Sequence, residues 1–181
     1  TLAAGTYSVA ETAVAGWDQT SATCSDGSPI DAISLQAGET ITCTFTNTKR
    51  AHLIVDKVTV PAADQTSFSF TTNAGSNFSL TDQAAPHDSG AVTPGTYSVS
   101  ETVPAGWDLT SATCSDGSPI GAVSLQAGET VTCTFTNTQR GTVVIVKDVI
   151  GNPDPTDFTF NNNFGGNHPV SFMLDEDADV T

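Results

Sequence analysis

Basic residues, methionine and long apolar runs are the scarcest features of this 181-residue chain. It has 5 Lys and Arg against 20 Asp and Glu, a net charge of -15, and 1 Met. A chain this acidic repels nucleic acid and anionic membrane surfaces, so neither is expected as a partner. Its apolar runs fall well short of the roughly 20 residues that a membrane-spanning helix needs, and no membrane insertion is expected.

Motifs of catalytic, metal and cofactor sites are also missing. The chain has no Gly-rich phosphate loop and no Ser/His/Asp order typical of a hydrolase. Its cysteines lack C-x-x-C spacing, and no histidine stands at ligand spacing from them, so we expect no zinc site and no cofactor. The acidic run at 175–179 lacks EF-hand spacing; it is expected to be a solvated loop, with calcium binding as the alternative.

The four cysteines form two pairs of equal spacing, Cys24/Cys43 and Cys114/Cys133. Disulfides within each pair are favoured over free, buried cysteines. They predict an oxidising compartment outside the cytoplasm, that is, an extracellular or cell-surface protein. On the chain-entropy model, each loop closure would contribute roughly 3 kcal/mol of stability.

The chain contains an internal repeat. Residues 5–50 align without a gap with residues 95–140, and only 8 positions differ between them. The segment that begins at Ala51 recurs more loosely from Gly141, so that Lys57 aligns with Lys147. A repeat of this kind predicts a tandem array of similar domains.

The phase of the repeat predicts one complete domain and two halves. Residues 51–140 are expected to form the complete repeat. Residues 1–50 would be the C-terminal part of a preceding repeat, and residues 141–181 the N-terminal part of a following one. Half-domains expose their inner faces and unpaired strand edges. We therefore expect neighbouring material, from the same long chain or from other subunits, to complete them.

Period-two patterns and turn signals predict an all-β fold. No stretch shows a helical period, and seven short strands in 90 residues are typical of tandem immunoglobulin-like β-sandwiches. The strands of the complete repeat are predicted at 52–60, 66–72, 76–82, 95–103, 108–115, 121–126 and 130–138.

Three polar residues occupy inward positions of these strands. Lys57 shares a face with Leu53 and Val55, Glu101 continues the face of the strand at 95–103, and Asn137 continues the apolar face of the last strand. Burying one such group costs a few kcal/mol unless a partner meets it. Three unrelated strand-end residues that reach solvent are the alternative, but three together favour a buried cluster.

A longer motif resembles a known family. The segment Gly95-Thr96-Tyr97-Ser98-Val99-Ser100-Glu101-Thr102-Val103-Pro104-Ala105-Gly106-Trp107 is similar to the signature of Cna B-type, or SpaA-like, prealbumin-fold repeats of bacterial surface adhesins and pilins. The segments at 55–58 and 135–138 resemble the first and last strands of that family. The resemblance implies a prealbumin-like (transthyretin-like) sandwich.

The resemblance also implies a covalent crosslink. In this family the first-strand Lys and the last-strand Asn form an isopeptide bond that a Glu promotes, which assigns these roles to Lys57, Asn137 and Glu101. A hydrogen-bonded cluster of the three without covalent closure is the alternative. For the incomplete units, Lys147 would bond the equivalent of Asn47 in the next unit, with Glu11 assisting.

Together these observations predict a structural repeat of an extracellular fibre, filament or cell-surface stalk. Its partners would be copies of itself or adjacent repeats. The only chemistry expected is autocatalytic formation of the crosslink, so the chain is not expected to be an enzyme. The alternative is an adhesin or carbohydrate-binding β-sandwich module.

Overall fold

The computed structural model describes residues 1–148, 158–165 and 171–174, and within these ranges the chain forms strands and turns. None of the described residues belongs to a helix that could span a membrane. The chain divides into two compact units, Thr1–Gln139 and Arg140–Thr181. The acidic run at 175–179 lies outside the described residues.

Fifteen strands follow one another along the described chain. Those of the first part are Gly5–Tyr7 (β1), Trp17–Cys24 (β2), Ile33–Leu35 (β3) and Cys43–Lys49 (β4). Those of the complete repeat are His52–Val60 (β5), Phe68–Thr72 (β6), Phe78–Leu80 (β7), His87–Asp88 (β8), Gly95–Tyr97 (β9), Val99–Thr102 (β10), Trp107–Cys114 (β11), Val123–Leu125 (β12) and Thr130–Gln139 (β13). The second unit contains Phe158–Asn161 (β14) and Ser171–Leu174 (β15).

Strands β5 to β13 form a β-sandwich, which confirms the predicted fold class. One sheet has the strand order β11-β13-β5-β8 and the other has the order β10-β6-β7, while β9 pairs with β12. The two sheets meet through aromatic contacts such as that between Phe70 and Phe135, whose ring centroids lie 5.2 Å apart. The first and last strands, β5 and β13, are parallel neighbours, with Lys57 opposite Phe135.

Alternation along β5 and β13 produces the core. In β5, every second residue from Leu53 to Thr59 is buried, and in β13 the same holds from Val131 to Asn137. Successive side chains of a strand point to opposite faces, so the residues between them, which in β13 are threonines, face outward. The alternation therefore carries Lys57 and Asn137 into the core, where they are 2% and 0% exposed.

The predicted strand at 95–103 is wrong as a single strand. It divides at Ser98 into β9, which pairs with β12, and β10, which pairs with β6. The division arises because the Ser98 backbone N–H donates to the Asn73 side chain, at 2.8 Å, rather than to a neighbouring strand. The two-residue strand β8, which pairs with Ile54 and Val55, was not predicted because it is too short to show a period.

Residues 5–49 fold like their counterparts but with an open inner face. Strands β2 and β4 pair in the same register as β11 and β13. Trp17 is nevertheless 44% exposed where the matching Trp107 is 5% exposed, and Val9 is 43% exposed where Val99 is 3% exposed. Trp107 and Val99 are less exposed because strands β5 to β7 cover the inner face of residues 95–139.

In the second unit, β14 pairs with β15 in antiparallel fashion. Phe160 stacks on Phe172 with ring centroids 5.5 Å apart, and Leu174 is fully buried.

Both disulfides are present. Cys24 is bonded to Cys43 and Cys114 to Cys133, and each pair joins directly opposite residues of two antiparallel strands. The Cys114–Cys133 bond ties the last strand of the sandwich to its neighbour β11, and Cys133 is fully buried. This bond therefore lies within the closed core, whereas Cys43 of the other pair is only partly buried.

Replacing Cys114 and Cys133 together with Ala should lower the free energy of unfolding by about 3 kcal/mol, since the unfolded chain regains the entropy of an open loop. Urea unfolding followed by tryptophan fluorescence measures this loss through the buried Trp107. The matched control is the pair Cys24→Ala and Cys43→Ala, which should leave the Trp107 transition nearly unchanged. Equal losses from both pairs would contradict the assignment.

Candidate functional site

The amine of Lys57 lies at the centre of a buried polar cluster. Its Nζ donates to Asn137 Oδ1 at 3.0 Å and to the Val58 carbonyl at 2.7 Å, and the Phe135 carbonyl lies 3.4 Å away. On another side it rests over the ring of Phe68, 4.0 Å from the centroid. The amine and the Asn137 carboxamide are thus in direct contact inside the sandwich.

Glu101 reaches this cluster from the opposite sheet. It lies on β10, paired with Phe70 of β6, whereas Lys57 and Asn137 lie on the sheet that contains β5 and β13. Its Oε1 is 3.8 Å from Lys57 Nζ, and both side chains are 0% exposed. The cluster therefore forms only where the two sheets face each other.

Burial shifts both ionisable groups towards their neutral forms. Desolvation lowers the pKa of the Lys57 amine, although the carboxylates of Glu101, Asp82 and Asp56 oppose the shift. Desolvation also raises the pKa of Glu101, against the opposing effects of the Asn137 amide and of Lys57. Burial disfavours charge on acids and bases alike, so a neutral amine beside a protonated carboxyl group is favoured here relative to water.

The hydrogen bonding around Asn137 is incomplete. Its amide lies near enough to Glu101 to favour the carboxylate form, but the two do not meet in hydrogen-bond geometry. Among the described residues, Asn137 Nδ2 and both Glu101 oxygens are buried atoms without a hydrogen-bond partner. A buried polar atom left unpaired costs about 1–3 kcal/mol, so this arrangement is not explained by stability alone.

This geometry suits acyl transfer to an amine. A neutral Lys57 carries a lone pair, and the carboxamide carbon of Asn137 is bonded to the oxygen that Nζ already contacts. Glu101 is the acid placed to exchange protons with both groups. The described part of the chain contains no cluster of three or more His, Cys, Asp or Glu side chains placed to hold a metal ion.

The matching residues of the first half also meet. Asn47 Nδ2 donates to Glu11 Oε1 at 2.6 Å. This pair is exposed and lines an open groove together with Val14, Trp17 and Gln19. In the complete repeat, the matching side chains of Glu101 and Asn137 instead lie against Lys57.

Lys147, in the second unit, reproduces the local contacts of Lys57. Its Nζ donates to the Asp148 carbonyl at 2.8 Å and lies over the ring of Phe158, 4.2 Å from the centroid. Lys57 makes the same two contacts, with the carbonyl of the next residue and with the ring of Phe68. The structure thus brings Glu11 and Asn47 together in the first unit, while Lys147 belongs to the other unit.

Two residues of the site were missed from the sequence. Phe68 packs under the amine, and its alignment with Phe158 was the signal that could have found it. Asp82 opposes the loss of charge on Lys57 and accepts the backbone N–H of Thr59 at 2.6 Å. No sequence pattern indicates Asp82 as a site residue, because it lies in a loop and not on a strand with a period of two.

Of the comparisons with known proteins, a family model carries the assignment of the fold. The structure resembles a major pilin protein from Streptococcus pyogenes, at 16% identity, with 77% of this chain and 68% of the pilin chain covered and a TM-score of 0.37. At that similarity, the match says nothing about the function of this chain. No curated protein matches. The model of a SpaA-type family, described as the prealbumin-like fold domain, matches residues 1–49 and 53–139. The chain therefore belongs to the prealbumin-like fold domain family.

Proposed function

We propose that this chain is a structural repeat of an extracellular fibre or cell-surface stalk, stabilised by an isopeptide bond between Lys57 and Asn137. The observation that carries the proposal is the 3.0 Å contact between Nζ and Oδ1 in an interior from which water is excluded, with Glu101 facing both groups. The disulfides support an extracellular location, because such bonds persist in oxidising compartments.

The reaction is a single acyl transfer. The lone pair of the neutral Lys57 amine attacks the carboxamide carbon of Asn137, while protonated Glu101 stabilises the oxygen on which charge develops. The C–N bond to Nδ2 then breaks. Glu101 relays a proton from Nζ to the leaving nitrogen, so one ammonia departs and an amide remains. The domain acts once on itself and does not turn over as an enzyme does.

The position of the bond suits a load-bearing repeat. Lys57 lies on the first strand and Asn137 on the last, and these strands are neighbours. Force applied to the ends of the repeat would pass from β5 through the crosslink into β13. The residues between 57 and 137 would then bear no load, and the sandwich would resist extension beyond the strength of its hydrogen bonds.

The half-repeats are proposed to complete one another. The groove of the first half presents Glu11 and Asn47 without a lysine, and Lys147 of the second unit carries the contacts of Lys57. Residues 141–181 of one copy, or of an adjacent repeat, would cover the inner face of residues 1–50 of the next. Lys147 would then bond Asn47, with Glu11 assisting.

Trp17 favours a carbohydrate-binding module as the alternative, since an exposed ring in a groove can stack on a sugar. The matching Trp107 argues for a packing role instead. It is buried, and its ring meets Phe68 edge-on at 5.3 Å. We therefore assign Trp17 to the same core position in a completed domain.

Intact-mass spectrometry of the folded chain should show the loss of one ammonia, and proteolysis should yield a branched peptide that joins Lys57 to Asn137. Lys57→Ala should abolish both. Asn137→Asp should lose one water in place of ammonia, because the leaving group is then a hydroxyl. A folded wild-type chain with the full mass of its sequence would rule out the crosslink.

Glu101→Gln should slow bond formation roughly 100-fold or more, the usual contribution of a positioned acid–base group. The rate follows from the appearance of the branched peptide when chain that was isolated unfolded, before the bond formed, is allowed to fold. Glu39→Gln, which removes a carboxylate from a turn of the first half, serves as the control and should react at the wild-type rate. An unchanged rate in Glu101→Gln would exclude the proposed role of this carboxyl group.

Denaturing electrophoresis under reducing conditions should show a ladder of covalent oligomers if Lys147 bonds Asn47 between copies. Lys147→Ala and Asn47→Ala should each remove the ladder but keep the ammonia loss at Lys57, since the complete repeat is untouched. A single monomer band from concentrated wild-type protein would count against bonding between copies and leave adjacent repeats as the partners.

A further inference from the structure

The two residues that join the two repeats of the first unit are both held by backbone hydrogen bonds. Strand β4 ends at Lys49 and β5 begins at His52. Between them, the Arg50 backbone N–H donates to the Gly16 carbonyl at 2.8 Å, and Ala51 exchanges two hydrogen bonds with Val92, at 2.8 and 2.9 Å. Ala51 is fully buried. One linker residue is therefore held by the first repeat and the next by the second.

A turn of the second repeat holds the same linker from the other side. The Gly128 N–H donates to the Lys49 carbonyl at 3.1 Å, and the Glu129 carbonyl accepts the His52 N–H at 2.9 Å. Gly128 has a φ of +74°, and a Cβ added to it would lie 2.9 Å from Lys49 Cδ. The turn thus contacts both the backbone and the side chain of Lys49, at the end of β4.

Residues 49–52 and the turn at 126–129 form the joint between the two repeats. A bidentate ion pair reinforces this joint on the side of the first repeat. The Arg50 guanidinium donates to both carboxylate oxygens of Asp18, with Nε 3.0 Å from each and Nη2 2.7 Å from Oδ1. The pairing raises the pKa of Arg50 and lowers that of Asp18, chiefly through these hydrogen bonds. Two parallel hydrogen bonds fix the orientation of a guanidinium in a way that a single ammonium contact does not.

We propose that the turn at residues 126–129 is a docking surface for the strand end of the preceding repeat, and that with the Asp18–Arg50 pair it locks successive sandwiches in one orientation. The partner it fits is another repeat of this family, ending in a strand followed by Arg. The residues of this joint recur in the internal repeat. Residues 36–39 have the same sequence as the turn at 126–129, and Asp108 and Arg140 align with Asp18 and Arg50. The joint does not depend on the Lys57–Asn137 bond.

Trypsin provides a direct test, because the chain has only 5 Lys and Arg and two of them, Lys49 at the end of β4 and Arg50 in the linker, are adjacent at the joint. The folded wild-type chain should resist cleavage after these two residues. Asp18→Asn should be cleaved there several-fold faster, because the guanidinium loses its charged partner. Asp31→Asn, at an exposed aspartate of the same half, removes the same charge outside the joint and should behave as wild type.

A second variant and a second readout separate a loosened joint from unfolding. Arg50→Lys keeps the charge and the cleavage site but loses the bidentate contact, so it should also be cleaved faster than wild type. Hydrogen exchange at the amides of Arg50 and His52 should quicken in both variants, while exchange in β5 and β13 stays slow. Cleavage of wild type as fast as an unfolded chain, or equal rates for Asp18→Asn and Asp31→Asn, would overturn the proposal. Intact mass on the same samples reports the crosslink separately.

Discussion

The closed sandwich depends on how it accommodates one amine where its strand pattern requires an apolar side chain. A charged group removed from water costs several kcal/mol, even when it is partly compensated. Around Lys57, two carbonyls and the Asn137 side chain supply contacts from its own sheet, and the Phe68 ring and Glu101 close the cluster from the other sheet. The neutral forms of the amine and of the acid relieve that cost. The same burial that destabilises an ion pair would therefore prepare the amine for the proposed bond.

In the proposed half-repeats, the same need for burial would make the chemistry depend on assembly. Glu11 and Asn47 already touch, but they lie in an open groove, where water solvates the carboxylate and the amide. Burial of the kind that acts on Lys57 and Glu101 arises only when a second sheet covers the face. A strand that carries Lys147 would bring both the amine and the apolar cover. Docking would thus precede bond formation, and unpaired halves would stay chemically inert.

Much of this arrangement was predictable because it rests on alternation and on repetition. The period of two in β5 and β13 placed Lys57 and Asn137 inward, and the repeated spacing of the cysteines matched the two cross-strand bonds. The division at Ser98, the site residue Asp82 and the Asp18–Arg50 pair were not predictable. Each depends on a contact between residues far apart in sequence, and no local period or turn signal reports such a contact.

The few basic residues of the chain are concentrated at the buried cluster, at the joint and at the positions that match them. Of the 5 Lys and Arg, Lys57 lies in the buried cluster, and Lys49 and Arg50 form the joint. Lys147 and Arg140 occupy the matching positions of the following unit. Every cation of the chain thus stands in the cluster, at the joint or at a position that matches one of these in sequence, while most of the other charged residues are acidic. Acidic faces repel one another. In the proposed fibre, end-to-end contacts would therefore be favoured over lateral association.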